Sequence, residues 1–361
     1  MIKYLLAAVG IITVGIICIS CNSSNTITGQ NPVYVKQFEK LTDDVIAAGT
    51  TPGLIVGVWA PGQDVAWVTA KGKANTANGD LMKTAYRFRM GSITKSFTYT
   101  VLLQLVDKKQ VSLDDKLSKY FPGFPDADKV TVQMICNHTS GIFNYTSTST
   151  FGDGVTANPA RVWTDQELID LASKEAYYFS PGTGYRYSNT NTIMAGMIVE
   201  QITKNTIDTE INNRILIPLG LKNTYYPKDC LISGQHASGY QGTVEVTEMF
   251  HPSTAGSSGA LITDIQDLKT WVEAAVKGTF LSADLQKQRL TVISPADMYG
   301  LGLKAIDRGG SGLIWGHSGS FFGYQTMAYH WPAKNVTVAI CYNNTMAVPD
   351  TLFNSIIDTF K

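Results

Sequence analysis

The chain has 361 residues, of which 44% are hydrophobic and 16% are charged, with 29 basic and 29 acidic side chains. This length and apolar content are enough to bury one large core or two smaller lobes. The balanced charge leaves no basic excess to neutralise phosphates, so we do not expect nucleic acid as a partner.

The amino terminus carries the pattern of an export signal. Lys3 precedes an apolar run over residues 5–19, which as a helix would span roughly 22 Å, short of the ~30 Å core of a bilayer. A basic start followed by a short apolar run is typical of a signal peptide, here residues 1–20. We therefore expect an exported protein of the cell envelope.

A cysteine stands directly after this segment. Cys21 is followed by a polar stretch, and the arrangement resembles a bacterial lipoprotein cleavage site, although Cys18 stands where an aliphatic residue is usual. The pattern predicts lipidation of Cys21 and anchoring in the lipid bilayer, with the protein facing the periplasm or the cell exterior. Ordinary signal removal and an uncleaved anchor are the alternatives.

Neither a disulfide framework nor a metal site is predicted. Three cysteines after position 21 form an odd number at wide spacing, so we expect buried thiols. The histidines outside the motifs described below lack the spacing of zinc ligands, so we expect no metal and no cofactor. The residues concerned are Cys136, Cys230 and Cys341, and His138, His236, His251 and His330.

Periodicity and turn signals predict the elements in chain order. They are an amphipathic helix over 34–48, a hairpin of strands over 54–59 and 65–70, a helix over 94–108, short helices and loops to about residue 250 with a polar loop over 144–158, strands over 323–331 and 336–343, and a last helix over about 350–360.

This order predicts one sheet built from both ends of the chain. A helix and a hairpin open the chain, and a hairpin and a helix close it. We therefore expect an α/β (α+β) fold with an antiparallel sheet flanked by helices and a mostly helical lobe inserted at about 100–250. A linker over 21–33 would precede a single domain over 34–361.

Three short motifs follow one another along the chain. Ser92–Lys95 provides a hydroxyl and an amine one helical turn apart, Tyr187–Asn189 a phenol and a carboxamide, and His317–Gly319 an imidazole beside a glycine. Together these groups suit acyl transfer through a serine ester, which needs a nucleophile, proton carriers and substrate contacts.

Each motif alone also has a structural interpretation. Ser92 precedes an apolar helix, where it could lie on one face with Lys95 or act only as an N-cap. Tyr187 lies on a loop before a helix, but Tyr342 shows the same local pattern at the end of a strand, where we expect a structural role. His317 could be a buried core histidine, although the neighbouring glycines favour an approach surface.

Jointly and in this order, the motifs resemble the serine beta-lactamase and penicillin-binding protein superfamily. The resemblance is closest to the branch of class C beta-lactamases, D-alanyl-D-alanine carboxypeptidases, D-aminopeptidases and related esterases, and it covers roughly residues 35–360. Further stretches that carry it are Phe88–Lys95, Asn137–Gly141, Pro181-Gly182, Tyr299–Leu303 and Gly316–Gly319.

The resemblance implies roles for individual residues. Ser92 would be the acylated nucleophile, and Lys95 would help to deprotonate it and hold Tyr187 partly as a phenolate. Tyr187 would pass the proton to the leaving group. Asn189 would bind the amide side of the substrate. The backbone N–H groups of Ser92 and Ser320 would form the oxyanion hole.

The third motif departs from the usual beta-lactamase pattern, because His317 stands where most beta-lactamases carry a lysine. With Ser318 and Gly319 it would bind the substrate, and we expect its imidazole to be a cation only part of the time. Arg308 is a weaker candidate for a carboxylate contact. Within this family, histidine is more typical of carboxypeptidases, amidases and esterases.

Three functions stay open on these grounds. The first is a D-alanyl-D-alanine carboxypeptidase or D-amino-acid peptidase of the cell envelope, with a small peptide or amide such as a peptidoglycan stem peptide as substrate. The second is an esterase or beta-lactamase-type hydrolase of the same fold. The third is a non-hydrolytic penicillin-binding relative. The chain contains neither a Gly-x-Ser-x-Gly nor a His-Glu-x-x-His motif, which argues against the hydrolase classes that use them.

Overall fold

A computed structural model describes residues 31–294 and 296–361. The predicted signal peptide, the lipidation site Cys21 and nearly all of the predicted linker lie outside these residues. Within the described ranges, no helix combines the length and the apolar character that a membrane crossing requires.

The helices and strands have the following bounds. The helices are α1 (Pro32–Ala47), α2 (Thr94–Asp107), α3 (Val132–Cys136), α4 (Ser149–Ala157), α5 (Asp165–Ser173), α6 (Asn189–Thr203), α7 (Ile207–Ile211), α8 (Ile217–Leu219), α9 (Ile265–Lys277), α10 (Ala283–Arg289) and α11 (Asp350–Asp358). The strands are β1 (Gly53–Ala60), β2 (Val65–Gly72), β3 (Phe88–Arg89), β4 (Tyr240–Gln241), β5 (Val244–Glu245), β6 (Ile262–Thr263), β7 (Lys304–Asp307), β8 (Leu313–Phe321), β9 (Tyr324–Trp331) and β10 (Val336–Tyr342).

The main sheet joins the two ends of the chain. Its strand order is β2-β1-β10-β9-β8-β7, and each neighbouring pair is antiparallel. In the centre, Val56 of β1 lies opposite Thr69 of β2 on one side and Ile340 of β10 on the other. The predicted antiparallel sheet built from both termini is confirmed.

Alternation along the strands fills two hydrophobic layers. On β10, Val338 and Ile340 pack with Phe38 of α1 and Phe353 of α11, whereas Ala339 between them belongs to the larger layer on the opposite face. This follows from the two-residue period of a strand. The larger layer holds α2, α6 and α9, so the sheet positions the helix that follows Ser92.

One predicted loop is wrong. Residues 144–158 were expected to be irregular, but α4 occupies Ser149–Ala157. The Thr148 side chain accepts a hydrogen bond from the Phe151 N–H and caps the helix, and Phe151 and Val155, four residues apart, are buried. Glycine and threonine have low helix propensity, so this stretch did not indicate a helix. Tertiary packing of its buried side chains stabilises it nevertheless.

The three cysteines of the domain are free thiols. Cys136 and Cys341 are buried, as predicted, whereas Cys230 is only half-buried. Burial raises the pKa of the Cys136 and Cys341 thiols, which keeps them protonated and unreactive.

Candidate active site

Ser92 lies in a tight turn at the entrance to α2. Gly91–Ile93 forms a single turn of 3-10 helix before Thr94 begins α2. Gly91 has φ +55°, and a Cβ there would lie 2.6 Å from the backbone of Ser320. Glycine is therefore needed both for the left-handed conformation and for the contact with β8. The turn leaves Ser92 partly exposed on the wall of a cleft.

Lys95 is fully buried behind Ser92. Its Nζ lies 3.1 Å from Ser92 Oγ, and it donates to Asn189 Oδ1 at 2.6 Å and to the carbonyl of Ser258 at 2.7 Å. Burial and the nearby Lys304 ammonium lower the pKa of Lys95 well below its ordinary value of 10.5. Because two of its N–H groups donate to protein oxygens, a neutral Lys95 amine would direct its lone pair at the Ser92 hydroxyl.

Tyr187 places a phenol beside this pair. Its ring centroid lies 4.9 Å from Lys95 Nζ, and its hydroxyl is buried with no hydrogen-bond partner among the described residues. Burial raises the pKa of Tyr187, and the nearby Ser92 hydroxyl lowers it only in part, so the phenol keeps its proton. An unpaired buried hydroxyl at the nucleophile marks a place where a substrate group can bind.

Asn189 connects the second motif to the first. It is the first residue of α6, and its backbone N–H donates to Asn144 Oδ1 at 3.0 Å. Its side-chain oxygen accepts from Lys95, while its Nδ2 donates to Thr146 Oγ1 at 3.3 Å. The carboxamide therefore holds the lysine and faces the cleft.

His317 is buried in β8 and is not the part-time cation expected from the sequence. Its Nε2 lies 3.0 Å from the Tyr299 hydroxyl, and its Nδ1 lies 2.5 Å from the carbonyl of Ser318. Burial and the ammonium groups of Lys304 and Lys95 lower the pKa of His317 well below 6.5. Its ring is therefore neutral near pH 7 and acts through hydrogen bonds.

A lysine on the neighbouring strand brings a second amine to the third motif; burial lowers the pKa of Lys304, and the nearby Asp350 carboxylate opposes that shift. Lys304 of β7 lies opposite Gly316, and its Nζ donates to Ser318 Oγ at 3.1 Å and lies 5.6 Å from the Tyr187 ring centroid. The three motifs do not include this residue, although it comes directly after the Tyr299–Leu303 stretch. Arg308, the weaker candidate, hydrogen-bonds Asn354 and pairs with Asp358, both of α11.

The predicted oxyanion-hole residues lie together. Gly319 lets β8 approach the Ser92 turn, because a Cβ on Gly319 would lie 2.0 Å from the Met90 carbonyl. Ser320, which belongs to the same strand as the third motif, is exposed and lines the cleft with Ser92. Two backbone N–H groups at this junction could stabilise a developing oxyanion.

The cleft beside Ser92 has a volume of about 280 Å³, and its walls combine aromatic side chains with hydroxyl and amide groups. None of the described residues that line it is acidic or basic, and no group of three or more His, Cys, Asp or Glu side chains in the described ranges could hold a metal ion. The lining residues are Ser92, Tyr145, Thr146, Phe151, Asn189, Thr254, Ala255, Ser258, Gly259, Ser320, Phe321, Phe322 and Thr345.

Comparison with known proteins identifies the family. Residues 38–352 match the Beta-lactamase family. A D-aminopeptidase of Brucella anthropi is 27% identical over 316 residues, which cover 84% of this chain but only 58% of that relative. The chain thus spans less than two thirds of that relative's length.

Solved structures agree with this match. A D-stereospecific amidohydrolase from Streptomyces sp. is 31% identical, with a TM-score of 0.79 over 90% of this chain and 98% of that chain. A D-amino acid amidase from Ochrobactrum anthropi SV3, 23% identical with a TM-score of 0.80 over the same shares, has the same fold. With a family match over most of its length and a buried lysine against a cleft serine, this chain belongs to the Beta-lactamase family.

Proposed function

We propose that this protein hydrolyses short D-amino-acid peptides that end in a free carboxylate, as a D-alanyl-D-alanine carboxypeptidase does. The names of its relatives, a D-aminopeptidase and a D-stereospecific amidohydrolase, support D-amino-acid amides as the substrate class. The observation that carries the choice of a carboxypeptidase is Lys304, whose Nζ donates to Ser318 Oγ at the third motif and whose pKa, lowered by burial, is raised in part by Asp350.

The chemistry follows from the pKa directions. Ser92 Oγ attacks the substrate carbonyl and gives its proton to Lys95, because burial lowers the pKa of Lys95 well below 10.5 and so favours the neutral amine that can accept it. The N–H groups of Ser92 and Ser320 stabilise the oxyanion. Tyr187 then donates its proton to the leaving amine and recovers one from Lys95, and water hydrolyses the ester. In this order Tyr187 acts as an acid, which its raised pKa favours over the phenolate expected from the sequence.

The charges of the site favour a carboxylate over an ammonium in the substrate. The amines of Lys95 and Lys304 lie at Ser92 and Ser318 without lining the cleft, and none of the described residues that line it is acidic. An aminopeptidase would need a partner for the free ammonium of its substrate, since an unpaired buried charge is costly. His317 orients Tyr299 and Ser318 through hydrogen bonds in this proposal and does not bind the anion itself.

We also propose that the protein is exported and acts in the cell envelope, anchored through Cys21. The support for this location is the pattern of residues 1–21 alone. A bilayer anchor of this kind would hold the domain close to peptidoglycan stem peptides. Globomycin treatment, which blocks lipoprotein signal cleavage, together with Cys21→Ala would test it. Globomycin should accumulate the longer, uncleaved precursor, and Cys21→Ala should lose labelling by radioactive palmitate. Normal processing under globomycin and normal labelling of Cys21→Ala would contradict the anchor.

An esterase of the same fold is the second candidate. Phe151, Phe321 and Phe322 on the cleft wall suit an apolar acyl group and do not require a peptide. Such an enzyme would hydrolyse p-nitrophenyl esters but not D-alanyl-D-alanine peptides. A non-hydrolytic relative would form an adduct with penicillin and turn over neither.

A substrate pair tests the proposal. An acylated D-alanyl-D-alanine peptide with a free carboxylate is compared with its C-terminal amide, and adducts on Ser92 are followed by intact-mass spectrometry with Ser92→Ala as the blank. Lys304→Met should raise KM by roughly tenfold or more for the free acid and little for the amide, because removing one partner of a charged hydrogen bond costs about 1.5–3 kcal/mol.

Lys174→Met is the control, because Lys174 is exposed after α5 and its side chain hydrogen-bonds no other described residue. It should leave both substrates unaffected. Equal turnover of acid and amide by the unaltered enzyme, or preference for substrates with a free amino terminus, would contradict the carboxypeptidase.

A further inference from the structure

His138 has an unusual backbone conformation at the end of α3. Its φ is +62°, in the left-handed region that residues other than glycine seldom adopt. In this conformation its carbonyl accepts a hydrogen bond from the Arg186 N–H at 3.0 Å. Arg186 directly precedes Tyr187, so the strained residue holds the chain on one side of that tyrosine.

The side chain of His138 hydrogen-bonds Ser188, the residue that follows Tyr187. The Ser188 N–H donates to its Nδ1 at 3.4 Å, and Asn191 Nδ2 lies 3.1 Å from the same atom. Ser140 Oγ donates to Asn191 Oδ1 at 2.7 Å, which directs the amide N–H of Asn191 at the imidazole. Two donors on Nδ1 leave the ring proton on Nε2.

The ring of His138 also packs on Tyr187. Their centroids lie 4.5 Å apart, and the imidazole contacts Tyr299 at 4.8 Å, which in turn hydrogen-bonds His317. His138 is fully buried, and its Nε2 has no partner among the described residues. Burial, followed by Lys95 and Lys304, lowers the pKa of His138, so Nδ1 stays an acceptor at neutral pH.

We propose that His138 is a positioning residue that clamps Tyr187 through the peptide groups on either side of it and through its ring. The inference rests on the role proposed above for Tyr187 as the acid that protonates the leaving amine. The clamp fixes the phenol against Ser92 and Lys95 although the phenol itself has no hydrogen-bond partner in the described structure. A small displacement of such a group is enough to slow proton transfer.

The test uses two substrates with the same acyl group, a p-nitroanilide and a p-nitrophenyl ester. The anilide leaves only with a proton, whereas p-nitrophenolate leaves without one, so a defect in Tyr187 slows the anilide selectively. His138→Leu removes the acceptor and should lower kcat/KM for the anilide by roughly ten- to a hundredfold, the cost of a slightly misplaced catalytic group. The ester should change little.

His138→Asn provides the rescue. Its Oδ1 can take the place of Nδ1 as acceptor, and asparagine tolerates the left-handed conformation, so most of the anilide activity should return. If His138→Leu does not fold, His138→Gly keeps the backbone conformation without strain and removes the acceptor. His330→Asn is the control, because His330 is a buried histidine of β9 that hydrogen-bonds Thr337.

Tyr187→Phe separates this inference from the proposed function. If Tyr187→Phe slows the anilide selectively and the His138 variants do not, the clamp is overturned and the proposed mechanism stands. If Tyr187→Phe slows both substrates equally, Tyr187 is not the acid that protonates the leaving amine. That result would contradict both the proposed mechanism and the clamp. An equal loss on both substrates in His138→Leu alone would mean general damage and would also overturn the clamp.

Discussion

At the scale of single residues, the same Tyr-x-Asn pattern occurs in two different surroundings. It begins at Tyr187 and again at Tyr342. Asn189 accepts a hydrogen bond from Lys95, whereas Asn344, its counterpart, accepts one from the Gly242 N–H at 3.2 Å and donates to the carbonyl of Thr50 at 3.4 Å. Tyr342 packs in the layer against α1 and α11. The second copy therefore ties the end of β10 to its neighbours.

This difference predicts opposite outcomes for one conservative change. Tyr187→Phe removes a single oxygen at the reacting centre and should lower turnover of an amide substrate by roughly 10²–10⁴-fold, the usual contribution of an acid–base group. Tyr342→Phe should be nearly silent in the same assay. Steady-state kinetics with matched melting temperatures check both variants. Equal effects at the two tyrosines would contradict the assignment.

The charge states of the site residues could be predicted from the sequence only in part. The pairing of Ser92 with Lys95 could be predicted, because residues three apart share one face of a helix. The neutrality of His317 could not, since it depends on burial and on two lysines distant in sequence. Lys304 was missed for the same reason, as only the short pairing of β7 with β8 brings it to Ser318.

At the scale of elements, the site depends on two backbones that approach closely. The Ser92 turn and β8 meet where Gly91 and Gly319 carry no side chain, and Thr326 Oγ1 of β9 donates to the Met90 carbonyl at 2.8 Å across the same junction. Long periodic elements such as α2 were predicted to within a residue or two. The meeting of the Ser92 turn with β8 was expected only through the family resemblance, which placed the N–H groups of Ser92 and Ser320 together. Its closeness is tertiary and leaves only glycines in the sequence.

Gly319→Ala tests this junction. The new methyl would lie 2.0 Å from the Met90 carbonyl, so β8 and the turn must move apart. We expect loss of most Ser92 acylation and a destabilisation of about 1–3 kcal/mol, typical of overpacking. Gly310→Ala is the control, because a Cβ there meets nothing within 4 Å. Normal adduct formation in Gly319→Ala, followed by intact-mass spectrometry, would contradict the proposed oxyanion hole.

At the scale of the whole molecule, the main sheet separates two hydrophobic layers. Titratable groups are buried both at the candidate active site and away from it. Burial is the main cause that lowers the pKa of His138 and His317 well below 6.5 and the pKa of His330 to about 4. Asp165 shows the opposite shift, since burial and then Glu200 raise its pKa from 3.8 to about 7.

These shifts act on stability with opposite signs. Between pH 6.5 and about 4, His330 binds a proton in the unfolded chain but not in the folded one, so acidification destabilises the fold. Between pH 7 and 3.8, Asp165 binds a proton in the folded chain but not in the unfolded one, so acidification stabilises it. Each proton difference changes the free energy of unfolding by at most about 1.4 kcal/mol per pH unit.

Two variants should therefore change the pH dependence of stability in opposite directions. His330→Gln removes one histidine that must stay neutral, so the loss of unfolding free energy from pH 6.5 to about 4 should become shallower. Asp165→Asn removes the opposing carboxyl, so the same loss should become steeper. Urea unfolding of the two variants and the parent at half-unit pH steps over this window measures the slopes, which report the proton difference between the folded and unfolded chains. Parallel curves for all three proteins would mean that neither burial shift exists, and a shallower curve for Asp165→Asn would reverse the sign assigned to that carboxyl.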